Sequence, residues 1–116
     1  MDSRRALYDA GVSHVPPCPD RLHPAVWDAL CGIAARFAPR GVNLFVFGSF
    51  ASGDQHQASD LDLGFRLQPG ADRAIEHELR TAINALPTIR AVDLVDFDCA
   101  DPDFVRIASR HVIHLP

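Results

Sequence analysis

The sequence predicts an α/β (α+β) domain in which a sheet is covered by helices on one face. Three patterns lead there. From Asp60 to Leu67 residues alternate strictly, with Leu61, Leu63, Phe65 and Leu67 on one side and Asp60, Asp62, Gly64 and Arg66 on the other. That is the period of a half-buried strand. Leu44-Phe45-Val46-Phe47 is a short, continuously apolar run between Gly41 and Gly48, as in a strand buried on both faces. Two stretches, Val26 to Phe37 and Ile75 to Leu86, repeat apolar residues at helical spacing instead.

Each element has its own local cause. Residues 11 to 24 hold Gly11, Pro16, Pro17, Pro19 and Pro24, a density of breakers that reads as an irregular wrapping arm. Pro24 suits a first helical turn, and Val26, Leu30, Ile33, Ala34 and Phe37 continue a helix until Pro39 and Gly41 stop it. Trp27 and Phe37 fit either packing of that helix or a partner-facing surface. Gly48-Ser49 ends the apolar strand, and Ser49 to Ser52 can form a short helix. Gln68-Pro69-Gly70 makes a turn, Ala71 to Leu86 reads as a helix, and Pro87 closes it. Ala91 to Phe97 is a further strand, Asp101-Pro102 opens a short helix, and Val112-Ile113 adds an extended segment. The order is α-β-β-α-β-α without repeats, with residues 1–40 as arm and helix and 41–116 as the domain that carries the motifs.

Composition narrows the function. A chain of 116 residues, 47% hydrophobic and 22% charged, suits one globular domain. Its net charge is −4 and all 11 Lys and Arg residues are Arg, so no polybasic stripe exists to follow an extended nucleic acid. A single nucleoside triphosphate needs far less positive charge. Apolar runs are much shorter than the roughly 20 residues that span a bilayer, and Met1 to Arg5 leads into no apolar leader, so the cytoplasm is the expected location. The three cysteines lack CxxC spacing and read as reduced thiols, and the six histidines show no zinc pattern.

The chemistry lies in the acids. Asp60 and Asp62, two apart in a strand, project their carboxylates from one face about 6.5 to 7 Å apart, which suits shared ligation of a pair of divalent cations. Val92-Asp93-Leu94-Val95-Asp96 offers a third carboxylate. If Val92 and Leu94 join Leu61 and Leu63 under the helices, Asp93 falls on the open side, and Asp96 points away or lies past the strand end with Asp98. Gly48 lets a phosphate approach the backbone, and the amides and hydroxyl at Ser49 can receive it. Three acids on one sheet face without matching bases would repel each other more than an ordinary surface tolerates.

These residues resemble the DNA polymerase β-like nucleotidyltransferases, and specifically the minimal nucleotidyltransferases (MNT). Gly48-Ser49, ten intervening residues and Asp60-Leu61-Asp62 match that family's GSx10DxD signature, and Val92-Asp93-Leu94-Val95 matches the strand of its third carboxylate. The likeness covers residues 42 to 115. It implies a mixed sheet and a minimal nucleotidyltransferase domain over 41–116. It also implies transfer of AMP from ATP with two Mg²⁺ ions held by Asp60, Asp62 and Asp93, and Gly48 and Ser49 holding the β- and γ-phosphates. Ser52 stands where many relatives have Arg, which implies weaker triphosphate binding.

MNT proteins often pair with a HEPN ribonuclease toxin and some neutralise it by adding AMP to a tyrosine. The resemblance thus implies an antitoxin within a hetero-oligomer. A small-molecule nucleotidyltransferase and a contact-only antitoxin are the competing readings, the former disfavoured because the chain is too short for an acceptor domain. His56 reads as a solvated loop residue or a nucleotide contact, and Arg66 as a phosphate ligand or an ion-pair partner.

Overall fold

The computed structural model describes residues 15–116. The start of the arm, His14 and the segment Met1 to Arg5 lie outside the described residues. Helix α1 spans Pro24–Phe37, strand β1 Val42–Phe47, the short helix α2 Ser49–Ser52, and β2 Leu61–Leu67. They are followed by α3 Ile75–Asn84, β3 Val92–Asp96, α4 Pro102–Ala108 and β4 Ile113–His114.

The strands form one mixed sheet in the order β3-β2-β1-β4. β1 runs antiparallel to β2 and to β4, whereas β2 and β3 are parallel. A parallel pair needs a crossover, and α3 provides it, which is why the apolar stripe Ile75, Leu79 and Ile83 is buried. α1 packs beside α3 on the same face. Its Val26, Leu30, Ala34 and Phe37 join Leu44, Val46, Leu61, Leu63 and Phe65 in the main core. Leu30, Val46, Leu61, Leu63, Phe65 and Leu79 have no measurable exposure, and each such side chain removed from water contributes about 1.5 to 3 kcal/mol.

The opposite face is different. Phe45, Phe47 and Phe97 form a second, smaller cluster, with Val105 and Ala108 of α4 against it. Gly64 makes that cluster possible, because a Cβ there would sit 2.5 Å from the Phe45 ring and 2.7 Å from the Phe97 ring. Those rings meet edge to face at a centroid distance of 4.7 Å.

Local chemistry explains the boundaries. His23 caps α1 by accepting from the Ala25 amide through Nδ1 at 3.0 Å, and Asp101 caps α4 by accepting from the amides of Asp103 and Phe104. The helix expected over Ala71 to Leu86 is shorter at both ends. Asp72 accepts from the Ala74 amide and Ala71 donates to Gln68, so residues 71 to 74 form turns and only Ile75 starts the helix. Residues 15–19 of the arm are irregular as expected, and Pro16 is strapped to α1 by the Trp27 indole N–H at 3.0 Å. Trp27 and Phe37 are both buried, which resolves them as packing residues.

Candidate active site

The site grows from the ends of three strands. β1 stops at Phe47, and Gly48 takes a φ of 72° that L-residues with a Cβ rarely adopt. A Cβ on Gly48 would also run into the Asp62 carboxylate, so glycine is required twice over. The turn then coils into α2, whose Ala51 and Ser52 amides donate to the Gly48 carbonyl at 3.1 and 3.0 Å. That leaves the amides ahead of them without a helical acceptor, a place where an anion can bind.

Asp62 pairs in register with Phe47 on one side and Asp93 on the other, so its side chain and that of Asp93 leave the sheet on the same face as neighbours. Asp60 directly precedes β2 and is exposed, as is Asp93, whereas Asp62 is half-buried. Burial, then the charges of Asp93 and Asp60, push the Asp62 carboxyl above its ordinary value. None of the three acids belongs to a salt bridge among the described residues. Among the described residues, then, no base is paired with them.

The remaining acids are occupied otherwise. Asp96 lies on the covered-face parity and is ion-paired with Arg73 beside it. Burial works to raise its carboxyl, but the hydrogen bonds from Arg73, the Asp98 amide and Cys99 outweigh it and hold the group below its ordinary value. Asp98 accepts from the Leu67 amide at 2.9 Å and meets Arg66 at 3.5 Å. Arg66 therefore has the ion pair that sequence reasoning left open, with its guanidinium over the Phe97 ring at 5.7 Å.

The donor chemistry fits a hard cation: three carboxylates, with the Asp62 carboxyl pushed above its ordinary value by burial and by Asp93 and Asp60. Among the described residues no three His, Cys, Asp or Glu side chains close into a complete ligand set. Mg²⁺ rarely uses such a cage, since it keeps waters and takes one or two carboxylates together with substrate phosphates. Beside Gly48 and Ser52 an apolar recess of about 330 Å³ opens between Phe47 and the α4 residues Phe104, Ile107 and Ala108. A larger recess of about 650 Å³ lies elsewhere, between Arg21-Leu22-His23 and residues 87–91, and no member of the acid triad lines it.

One residue escaped sequence reasoning. Arg90 sends its guanidinium into the loop between the two halves of the motif, and nothing in the sequence distinguishes it from ten other arginines. His56, in that loop, uses its Nδ1 to accept from the Ala58 amide at 3.3 Å and its own amide to reach Ser59 Oγ at 2.8 Å. Both contacts shape the loop.

Fold and site together define a nucleotidyltransferase of the polymerase β-like type: a mixed sheet, a glycine-serine turn at one strand end and carboxylates on the neighbouring strands. The chain belongs to the polymerase beta nucleotidyltransferase family, whose profile matches residues 40–114. Among solved structures it is similar to a minimal nucleotidyltransferase, at 28% identity over 73% of this chain and 85% of that one, with a TM-score of 0.56. A toxin-antitoxin complex with AMP-PNP shares the fold at 24% identity, covering 77% and 71% of the two chains with a TM-score of 0.56. A mutant MntA-HpeT toxin-antitoxin does so at 22% identity over 77% and 71%, with a TM-score of 0.55. No curated protein matches the chain significantly. Among the described residues no helix is long and apolar enough to cross a membrane.

Proposed function

We propose that this protein transfers AMP from ATP to a hydroxyl of a partner protein, a tyrosine of a HEPN-type ribonuclease toxin, and thereby acts as its antitoxin. The observation that carries the transferase reading is the in-register pair Asp62–Asp93 on the open face, with Asp60 alongside and Gly48 pressed against Asp62. The similar fold of a toxin-antitoxin complex with AMP-PNP supports both the nucleotide and the kind of partner. Another such complex was varied at two aspartates two positions apart, the spacing of Asp60 and Asp62.

Asp60 and Asp62 would hold two Mg²⁺ ions and Asp93 would complete the ligand set on the acceptor side. When bound, the ions offset negative charge on the phosphates and lower the cost of deprotonating the acceptor oxygen. Asp93, exposed on the edge strand β3, would orient the incoming hydroxyl and help take its proton. Gly48 and Ser49 would hold the β- and γ-phosphates through main-chain amides and the Ser49 hydroxyl, keeping pyrophosphate in line as it leaves. Ser52 places a neutral hydroxyl on the Ser49 carbonyl at 3.3 Å and on Asp54 at 3.0 Å, so that position adds no positive charge to the triphosphate.

The test is to mix the chain with a HEPN-type toxin partner, ATP and Mg²⁺, and to weigh the toxin. Addition of one or more AMP units is expected, and none with Asp60→Ala/Asp62→Ala. Unchanged toxin mass in a mixture where the complex forms would refute transfer. Neutralisation that survives the double substitution would instead establish inhibition by contact alone.

A further inference from the structure

We infer that Arg90 is a positioning residue that fixes the phosphate-binding turn and the Asp60-x-Asp62 strand relative to each other. The inference rests on the transferase reading for its catalytic consequence, but its structural part stands independently. Arg90 Nη1 donates to the Gln57 carbonyl at 3.1 Å and also to the Ser59 carbonyl, the residue directly before Asp60. Nη2 donates to the Arg21 carbonyl in the arm at 3.0 Å. The flat of the same guanidinium lies over the Phe50 ring at 5.0 Å, and Phe50 is the buried residue of α2, directly after Ser49.

One side chain therefore touches the two halves of the motif and the arm at once. The next residue extends the clamp, since the Leu61 amide donates to the Ala91 carbonyl at 2.9 Å. A second tie runs parallel, from Gln55 Nε2 to the Asp20 carbonyl at 3.0 Å. Arg21 is the non-glycine residue with positive φ among the described residues, at 70°, and its carbonyl is the one that Arg90 engages.

The acceptors are all main-chain carbonyls, so a positive charge alone cannot substitute for Arg90. A planar fork can donate along three directions in its plane while its face rests on an aromatic ring, whereas an ammonium is a single point donor. Loop 53–60 is otherwise held by its own turns and by the Gln55 tie, and the placement of Asp60 follows that of the Ser59 carbonyl. Arg21 and Asp20 lie before residue 40, outside the stretch matched by the family profile. The arm thus braces the motif from outside the matched stretch.

Arg90→Lys, which keeps the charge and removes the fork, is the decisive variant. Amide hydrogen exchange on the intact chain is expected to speed up by roughly tenfold at residues 49–52 and 55–61, with α1 and α3 unaffected. In the transfer assay kcat should fall by about 10- to 100-fold, as expected when reacting groups are misplaced by an ångström or less. Nucleotide affinity should stay within about threefold, because the amides that bind phosphate are still present. Arg90→Ala should regain part of its kcat when guanidinium ion is added, and ammonium should not replace it.

A lower melting temperature with unchanged kcat and unchanged exchange in both segments would overturn the inference and leave Arg90 a stabilising residue only. If wild-type chain transfers nothing, the transferase reading fails while the exchange result still decides the clamp. Should Arg90→Lys not fold, Phe50→Leu takes its place. It keeps an apolar side chain at this core position and removes the aromatic face under the guanidinium, so faster exchange at residues 55–60 supports the clamp and unchanged exchange refutes it.

Discussion

The two faces of the sheet are built from the same strands yet meet opposite fates. Leu61, Leu63 and Phe65 are completely enclosed by α1 and α3, while Asp62, one residue away from two of them, faces the side that α4 partly covers. The aromatic cluster of Phe45, Phe47 and Phe97 covers part of that second side, and its Phe47 stands in one row with Asp62 and Asp93. The contrast teaches that the covered face holds the strands rigid so that the other can carry neighbouring carboxylates. Like charges that would push apart on a loop are kept as neighbours by a hydrogen-bonded ladder whose reverse side is a packed core.

The sharpest way to break the comparison is to strike the two faces at neighbouring positions. Asp93→Ala should lower transfer by about 10²- to 10³-fold, equivalent to about 3 to 4 kcal/mol in the barrier, with a melting curve close to wild type. Asp96→Ala, on the other parity and paired with Arg73, should leave most of the activity in place. Equal losses at Asp93 and Asp96 would contradict the assignment of faces. Leu63→Ala, whose residue lies opposite Leu94 in the ladder, should cost about 3 kcal/mol in urea unfolding. Activity measured well below its midpoint should persist.

Gly64→Ala tests the aromatic end of the open face. The added methyl meets two rings at distances that real contacts do not reach, so a loss of about 1 to 3 kcal/mol is expected from overpacking. A neutral result would show that the rings can move aside.

The smallest effect concerns Asp62. Its folded-state value lies above the ordinary one, so the folded chain binds that proton more tightly than the unfolded chain does. The ionised form therefore opposes folding at neutral pH, and the cost fades as pH falls through the folded value towards the unfolded one, near 4. Asp62→Asn should melt about 1 to 3 °C higher at pH 7, discounted for its partial exposure. The gain should vanish in mild acid, and a variant less stable than wild type at pH 7 would contradict the stated charge balance.

Much of the fold was legible because its signals are local. Strict alternation from Leu61 to Leu67 placed four apolar residues against the core, and the same parity applied to Val92 and Leu94 placed Asp93 beside Asp62. The start of α3 was missed by four residues, since Asp72 competes for the backbone through a turn that propensity does not register. The role of Arg66 depends on Asp98, a contact between separate elements that no local pattern records. The second cluster on the acid face was equally hidden, because Phe97 lies beyond the end of β3 and meets Phe45 and Phe47 only after the sheet assembles.

By itself the sequence determined the strands, their inward and outward residues, and the Gly48-Ser49 and Asp60-x-Asp62 elements, all consequences of short-range period and spacing. Only the tertiary structure decided the register that makes Asp62 and Asp93 direct partners, why Gly48 tolerates no side chain, and what Arg90 does. Those depend on register between strands distant in sequence and on where a long side chain ends. A guanidinium can reach carbonyls as far away in sequence as Arg21, and no local pattern records which of them it will find.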